Sequence, residues 1–309
     1  QQDQAEGSMS GEESTTIREK IAQLEDRLEE LASLKAELEA SDKPSIALTD
    51  SDSRMMRTAT GGSDMAYNVQ IAVDGKHSLI VAHDVRTTVN DRQELIPMIE
   101  KACEVLDPEG LDVTADAGYY NEEMIRDCDE AEIGCYVAIP PQPNGKYYDK
   151  TMFTYDAEQD CYRCPAGELL RYRRTMDKEN KRMRVYEGIA CQGCSHRSRC
   201  TRSVRGNRTV YRWEHAHHID ALRERLARDR SKLEKRKEMV EHPFGTLKRW
   251  MDHGYFLMRG RTKVQGEMAL SILAYNIKRV CGILGVPKLL ELLGKYRPEA
   301  IEPPVACYT

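Results

Sequence analysis

Apolar residues fall four and three apart in some stretches of the chain and two apart in others, and the switch between these periods lays out the expected elements. Ile17, Ile21, Leu24, Leu28, Leu31 and Leu38, with Glu, Arg and Lys between them, predict a helix from Ser14 to residue 40. The stripe covers about three heptads. It fits packing on its own domain or on a partner copy; three heptads are short for a self-standing dimer, so a surface helical insertion is expected and a homodimer is the alternative. Ser41 to Pro44 end the helix, and the run from Thr49 to Gly62, with Asp50, Asp52, Arg54 and Arg57, is too rich in small polar residues to form a core element.

Tyr67, Val69, Ile71 and Val73 then alternate with polar neighbours up to Asp74-Gly75, a hairpin signal, and Leu79 to Val85 supplies the return strand. Asp91 is placed to cap a helix over Arg92 to Leu106. A strand with Leu111, Val113 and Ala115 runs into Gly118, a helix covers Asn121 to Ala131, and a short strand covers Cys135 to Ile139 before Pro140, Pro141, Pro143 and Gly145 break the pattern. Ala221 to Arg249 is helical and strongly charged, interrupted at Pro243. Met268, Leu270, Ile272, Leu273, Ile277, Val280 and Ile283 predict one buried helix closing the core.

Asp116 stands where the third of these strands stops at its turn. An acid there is fixed on rigid backbone yet open to solvent, which suits a carboxylate that holds a hard divalent cation; a capping Asp in a β-to-α turn explains the same residue equally well. Glu241 lies seven residues before Lys248, on one face of the charged helix, where an ordinary surface ion-pair helix is the plain alternative.

Charge changes the picture of the second half. The net charge is −5. Residues 1–60 hold 7 Lys/Arg against 14 Asp/Glu, whereas residues 161–250 hold 24 against 11, a surplus of 13 positive charges that suits a polyanion. Five of the ten cysteines, Cys161, Cys164, Cys191, Cys194 and Cys200, fall in that basic stretch. Two Cys-x-x-Cys pairs beside Pro165, Gly167 and Gly193 have the spacing of a structural zinc ribbon, whose closed thiolate site has no catalytic position. His196 reads as an exposed outsider. Around the cysteines, Arg173, Arg174, Arg202, Arg205 and Arg208, interleaved with Tyr162, Tyr172 and Tyr186, read as a phosphate-contacting surface or, alternatively, a solvated β-ribbon face. With no bilayer-length apolar run and no basic-then-apolar leader, the expectation is a soluble cytoplasmic protein that binds no membrane.

The Asp116 run Ala-Asp-Ala-Gly-Tyr-Tyr and the run Arg236-x-x-x-Val-Glu-His-Pro-Phe-Gly-x-x-Lys248 occur in order with Gly62, Tyr67, Asn68 and Gln70 before them and Asn276-Ile-Lys-Arg after. In these motifs the chain resembles, over nearly its whole length, the DDE transposases of bacterial insertion sequences, in the branch with a cysteine-rich insert. The resemblance implies an α/β fold: an RNase H-like mixed sheet flanked by helices, lacking its first strand in this chain, with an N-terminal helical insertion and a zinc-ribbon-like insert. It divides the chain into a disordered segment 1–13, the helical insertion and loop 14–60, core parts at 61–150 and 216–285 around the insert 151–215, and a tail 286–309.

It further implies metal-dependent strand cleavage and strand transfer at insertion-sequence ends, with transposon and target double-stranded DNA as partners. Asp116 and Glu241 would hold Mg²⁺ (or Mn²⁺), and Arg236 and Lys248 would hold DNA phosphates. For Zn²⁺ the resemblance favours Cys164, Cys191, Cys194 and Cys200, while symmetry of the knuckles favours Cys161 in place of Cys200. The family's first catalytic Asp belongs to the missing strand, and Asp74 is a poor substitute because its Asp-Gly context is that of a turn. The chain is therefore expected to bind DNA and to cut it poorly or not at all; the alternative is a non-catalytic zinc-ribbon DNA-binding protein derived from such an enzyme.

Overall fold

The computed structural model describes residues 11–40, 45–58, 61–106, 110–141, 145–203, 205–250 and 254–295, without the side chains of residues 11–17 and 250. The elements are α1 (Gly11–Ala40), β1 (Arg54–Arg57), β2 (Ser63–Ala66), β3 (Asn68–Val73), β4 (Ile80–Arg86), α2 (Leu95–Leu106), β5 (Asp112–Ala115), α3 (Glu122–Glu130), β6 (Gly134–Val137), β7 (Thr154–Asp156), β8 (Cys161–Arg163), β9 (Leu169–Lys178), β10 (Lys181–Gly188), α4 (Arg197–Cys200), β11 (Thr209–Trp213), α5 (Ala216–Arg228), α6 (Ser231–Trp250), α7 (Arg261–Leu284) and α8 (Val286–Lys295). They form two compact units, one of residues 1–69, 85–89 and 256–268, the other of residues 70–84, 90–255 and 269–309.

In the smaller unit α1 begins at Gly11, three residues earlier than the sequence pattern suggests and inside the stretch expected to be disordered. Residues 1–10 lie outside the described ones. The polar run 49–62 is not merely a loop: Arg54–Arg57 pairs antiparallel with Ser63–Ala66, closed by the Thr58 N–H to Gly62 carbonyl bond at 3.0 Å and by Gly61 at φ +88°. Small polar residues hid this hairpin, because it buries little and so shows no apolar alternation. Asp50 anchors the unit, accepting from Tyr67 Oη at 2.8 Å and Gly260 N at 3.1 Å. Those bonds outweigh its partial burial and hold the Asp50 carboxyl below its usual range.

In the larger unit β5 and β6 pair in parallel, Asp112 opposite Gly134 and Ala115 opposite Val137, with α3 as the crossover between them. Beneath them Ala115, Ile125, Cys128, Cys135, Val137, Ile219 and Leu222 share a core with Leu95 and Ile99 of α2. The strands β3 and β4 pair with each other. A single mixed sheet was expected; among the described residues the two pairs remain separate ladders, because no strand among them bridges the two. The asparagine expected near the start of the last family motif acts as a backbone substitute here: Asn276 accepts from Ile80 N at 2.9 Å and donates to Ile80 O at 2.8 Å.

The cysteine-rich insert is a five-stranded antiparallel sheet in the order β11-β10-β9-β8-β7. Phe153, Tyr162, Leu170, Tyr186 and Val210 pack on one of its faces. Asp160 sits beneath this aromatic cluster, accepting from Tyr186 Oη at 2.6 Å and Tyr155 Oη at 2.8 Å.

The predicted charged helix is two helices, α5 and α6, separated at Asp229 and Arg230, and α6 passes through Pro243 without interruption. The closing helix α7 is only half of what the sequence suggested. Val264, Met268, Ile272 and Tyr275 are buried, but Leu270, Leu273 and Ile277 are 70%, 56% and 50% exposed and Ile283 is exposed as well. The apolar residues go most of the way round this helix, and one side of it meets the core. Among the described residues no single helix is long and apolar enough to cross a membrane.

Candidate functional site

Asp116 directly follows β5 and caps the short turn Ala117–Tyr119: its Oδ1 accepts from Gly118 N at 2.8 Å. The strand thus ends as the alternation predicted, on an acid that both caps and projects. Its other oxygen, Oδ2, takes the Arg236 guanidinium at 2.9 Å, with the carboxylate 45% exposed and the arginine mostly covered. One helical turn earlier, Lys232 reaches Asp112 at 2.5 Å and lies 3.9 Å from the Tyr136 ring centroid. Two cations one turn apart on α6 therefore match two acids at the two ends of β5.

A second carboxylate lies beside Asp116. A Cβ added at Gly118 would stand 2.9 Å from Asp116 Oδ1 and 3.2 Å from Asp91 Oδ2, so glycine is what lets these two acids approach the turn. Asp91 accepts from Gln70 Nε2 at 2.7 Å, and Gln70 in turn accepts the Tyr119 hydroxyl proton. Gln70 is 2% exposed, so both ends of its amide are satisfied inside the fold. Burial, then the Asp91 and Asp116 charges, raise the Tyr119 phenol far above its usual range. Sequence reasoning treated Asp91 as a helix cap only. Its backbone carbonyl does accept from Glu94 N at 3.0 Å, but its carboxylate faces Gln70, and the link between residues 70, 91 and 119 has no local sequence signal.

Glu241 lies on a different side of α6 from Arg236. The covered side of α6 carries Lys232, Arg236, Met239, Val240, Pro243 and Leu247, while Glu241 and Lys248 are exposed. At about 100° per residue Glu241 projects roughly 140° round the helix from Arg236. It does share the exposed side with Lys248, whose Nζ lies 5.6 Å from the Phe244 ring centroid. Asp74 is a turn residue, accepting from Lys76 N at 3.2 Å and His77 N at 2.6 Å.

In the insert, Cys164, Cys191, Cys194 and Cys200 line one cavity of about 30 Å³ together with His196 and Arg208. Gly167 at φ +86° and Gly193 at φ +78° make the tight turns beside them, and Arg208 N donates to Cys191 Sγ at 3.4 Å. Burial raises the Cys200 thiol; Arg208 opposes this, and the other three sulfurs add to it. Cys161, by contrast, is buried within β8 and is absent from the cavity wall. His196, expected to be exposed, is half-buried and bonded to Tyr148 Oη at 2.9 Å.

The arginines divide into committed and available ones. Arg208 donates to the carbonyls of Cys200 at 2.9 Å and Tyr148 at 3.0 Å, which turns its guanidinium inward rather than toward a phosphate. Arg173 pairs with Glu187, and Arg236 with Asp116. Arg202 lies over the Tyr147 ring at 5.3 Å, and Arg174 and Arg205 are exposed.

The carboxylate oxygens at Asp91 and Asp116 suit a hard cation in kind, and the four thiols suit zinc in kind. Their arrangement does not: as the side chains stand, no group of three or more His, Cys, Asp or Glu among the described residues could hold a metal ion.

An acid at the end of a parallel strand pair, joined in one chain to a basic antiparallel sheet bearing four clustered thiols, defines an α/β protein with two candidate sites. Residues 163–281 match the family model described as the transposase DDE domain, a stretch that includes the four cavity cysteines, Glu241 and Lys248 but not Asp116. The matched stretch covers less than half of the chain. No curated protein and no solved structure matches the chain.

Proposed function

We propose that this chain is a DDE transposase polypeptide that binds double-stranded DNA through its basic insert and does not cut DNA by itself. The observation that carries this reading is the pairing of Asp116 with Arg236, while Glu241 projects from the exposed side of α6, roughly 140° round the helix from Arg236. A strand-cleaving centre needs its carboxylates on one side of the scissile phosphate, close enough to share cations. Arg174, Arg202, Arg205 and Lys248 are the side chains available to phosphates.

The test is DNA binding by fluorescence anisotropy over a range of salt, alongside a cleavage assay in Mg²⁺ or Mn²⁺. Binding should weaken steeply with salt, Arg174→Ala, Arg202→Ala and Arg205→Ala should each flatten the log–log slope by about 1, and no cleavage should appear. Cation-dependent cleavage abolished by Asp116→Asn would overturn the non-cutting reading, and Asp91 would be the next acid to replace. We also infer that Cys164, Cys191, Cys194 and Cys200 take up Zn²⁺ when their thiolates close on the cavity. Zinc content of the purified protein near one ion per chain, lost in Cys194→Ser and kept in Cys161→Ser, checks it; a zinc-free protein of unchanged stability would refute it.

A further inference from the structure

We infer that α1 joins two copies of this chain, its apolar stripe packing against the same stripe of a second copy in an antiparallel two-stranded coiled coil. The inference is independent of the proposed function. Ile21, Leu24, Leu28 and Leu31 are 49%, 65%, 67% and 46% exposed along a 30-residue helix. Four large aliphatic side chains at spacings of three, four and three make a continuous seam rather than scattered surface residues. Their spacing is that of the core positions of a heptad, which Lys35 and Leu38 continue.

The occupant follows from charge. In a parallel pair Lys35 would meet its own copy inside the seam. In an antiparallel pair centred between Leu28 and Leu31, Lys35 lies against Leu24 of the other copy, where its aliphatic stem can cover apolar surface while its ammonium reaches water. The same arrangement sets Arg18 beside Glu39 at both ends, each flanking the seam at an equivalent heptad position. Such a surface is complementary to itself under a twofold axis, as a symmetric dimer requires. Eight half-exposed aliphatic side chains bury on the order of 800 Å², and the flanking stems must add to this to approach the roughly 1,200 Å² at which stable interfaces begin. The dimer should therefore be weak, with a dissociation constant in the micromolar range.

Sedimentation of the full chain without DNA, from roughly 1 to 100 µM, should show a monomer–dimer equilibrium in that range. Leu24→Glu with Leu28→Glu should leave a monomer whose thermal transition is unchanged. Lys35→Leu should tighten the dimer about tenfold or more, a gain that misfolding cannot imitate. Arg18→Glu and Glu39→Arg should each weaken it alone, and an equimolar mixture of the two should restore it. A wild-type chain that stays monomeric throughout, or a Leu24→Glu/Leu28→Glu chain that still dimerises, overturns the inference; the latter would move the contact to another apolar face, such as Leu270, Leu273 and Ile277 of α7. A mixture that fails to recover overturns the antiparallel arrangement.

Discussion

At the end of β5 a carboxylate is held by a backbone N–H and a guanidinium, with a second acid and a half-buried tyrosine against the same turn. On the outer side of α6, Glu241 stands in water. The two acids looked alike as candidates, yet a strand that ends in a turn fixes where its last side chain points, whereas a helical residue can project in any direction until the packing of the whole helix chooses one. A position at a strand end therefore fixes a side chain's direction from local sequence, and a position on a charged helix does not.

The comparison can be tested by how much each region resists change. The largest effect should come from the platform under Asp116: Ile125→Ala, at a fully buried position, should cost about 2 to 5 kcal/mol in denaturant unfolding. Alkaline pH should come next. The folded state raises the Tyr119 phenol, so its contribution is complete below the ordinary value near 10 and is lost as pH rises beyond it, because the unfolded tyrosine ionises first. Tyr119→Phe should flatten that decline in a stability–pH series; an unchanged decline would assign it to other phenols such as Tyr120, which burial and Glu122 push up to about 12. Arg236→Ala, which breaks a partly exposed pair, should cost about 1 kcal/mol or less in denaturant unfolding. Glu241→Gln should stay within about 0.5 kcal/mol of the parent. A larger loss there would erase the contrast between the two acids.

Much of the central α/β unit was legible because its strands and helices each have one buried face: β4, α2, β5, α3 and β6 all fall within a few residues of the pattern. Asp116 and the cavity cysteines were legible from turn chemistry, since Gly118, Gly167 and Gly193 mark where backbone must bend. Three features were not. The β1–β2 hairpin has no apolar alternation, and the rotation of α6 and α7 depends on partners far along the chain. The Gln70–Asp91–Tyr119 link spans 49 residues, a distance over which local periodicity carries no information. Among the arginines, composition foretold the surplus of charge but not its commitment: Arg208 reads like any other basic residue until its bonds to the Cys200 and Tyr148 carbonyls are seen.

Pro243 lies inside α6, two residues after Glu241. Lacking an amide hydrogen, it leaves the carbonyl of Met239 without its usual intrahelical donor, and its ring crowds that oxygen. The peptide groups around Glu241 are thus the weakest link of an otherwise continuous rod, and deuterium should enter there before it enters the turn that carries Lys232 and Arg236.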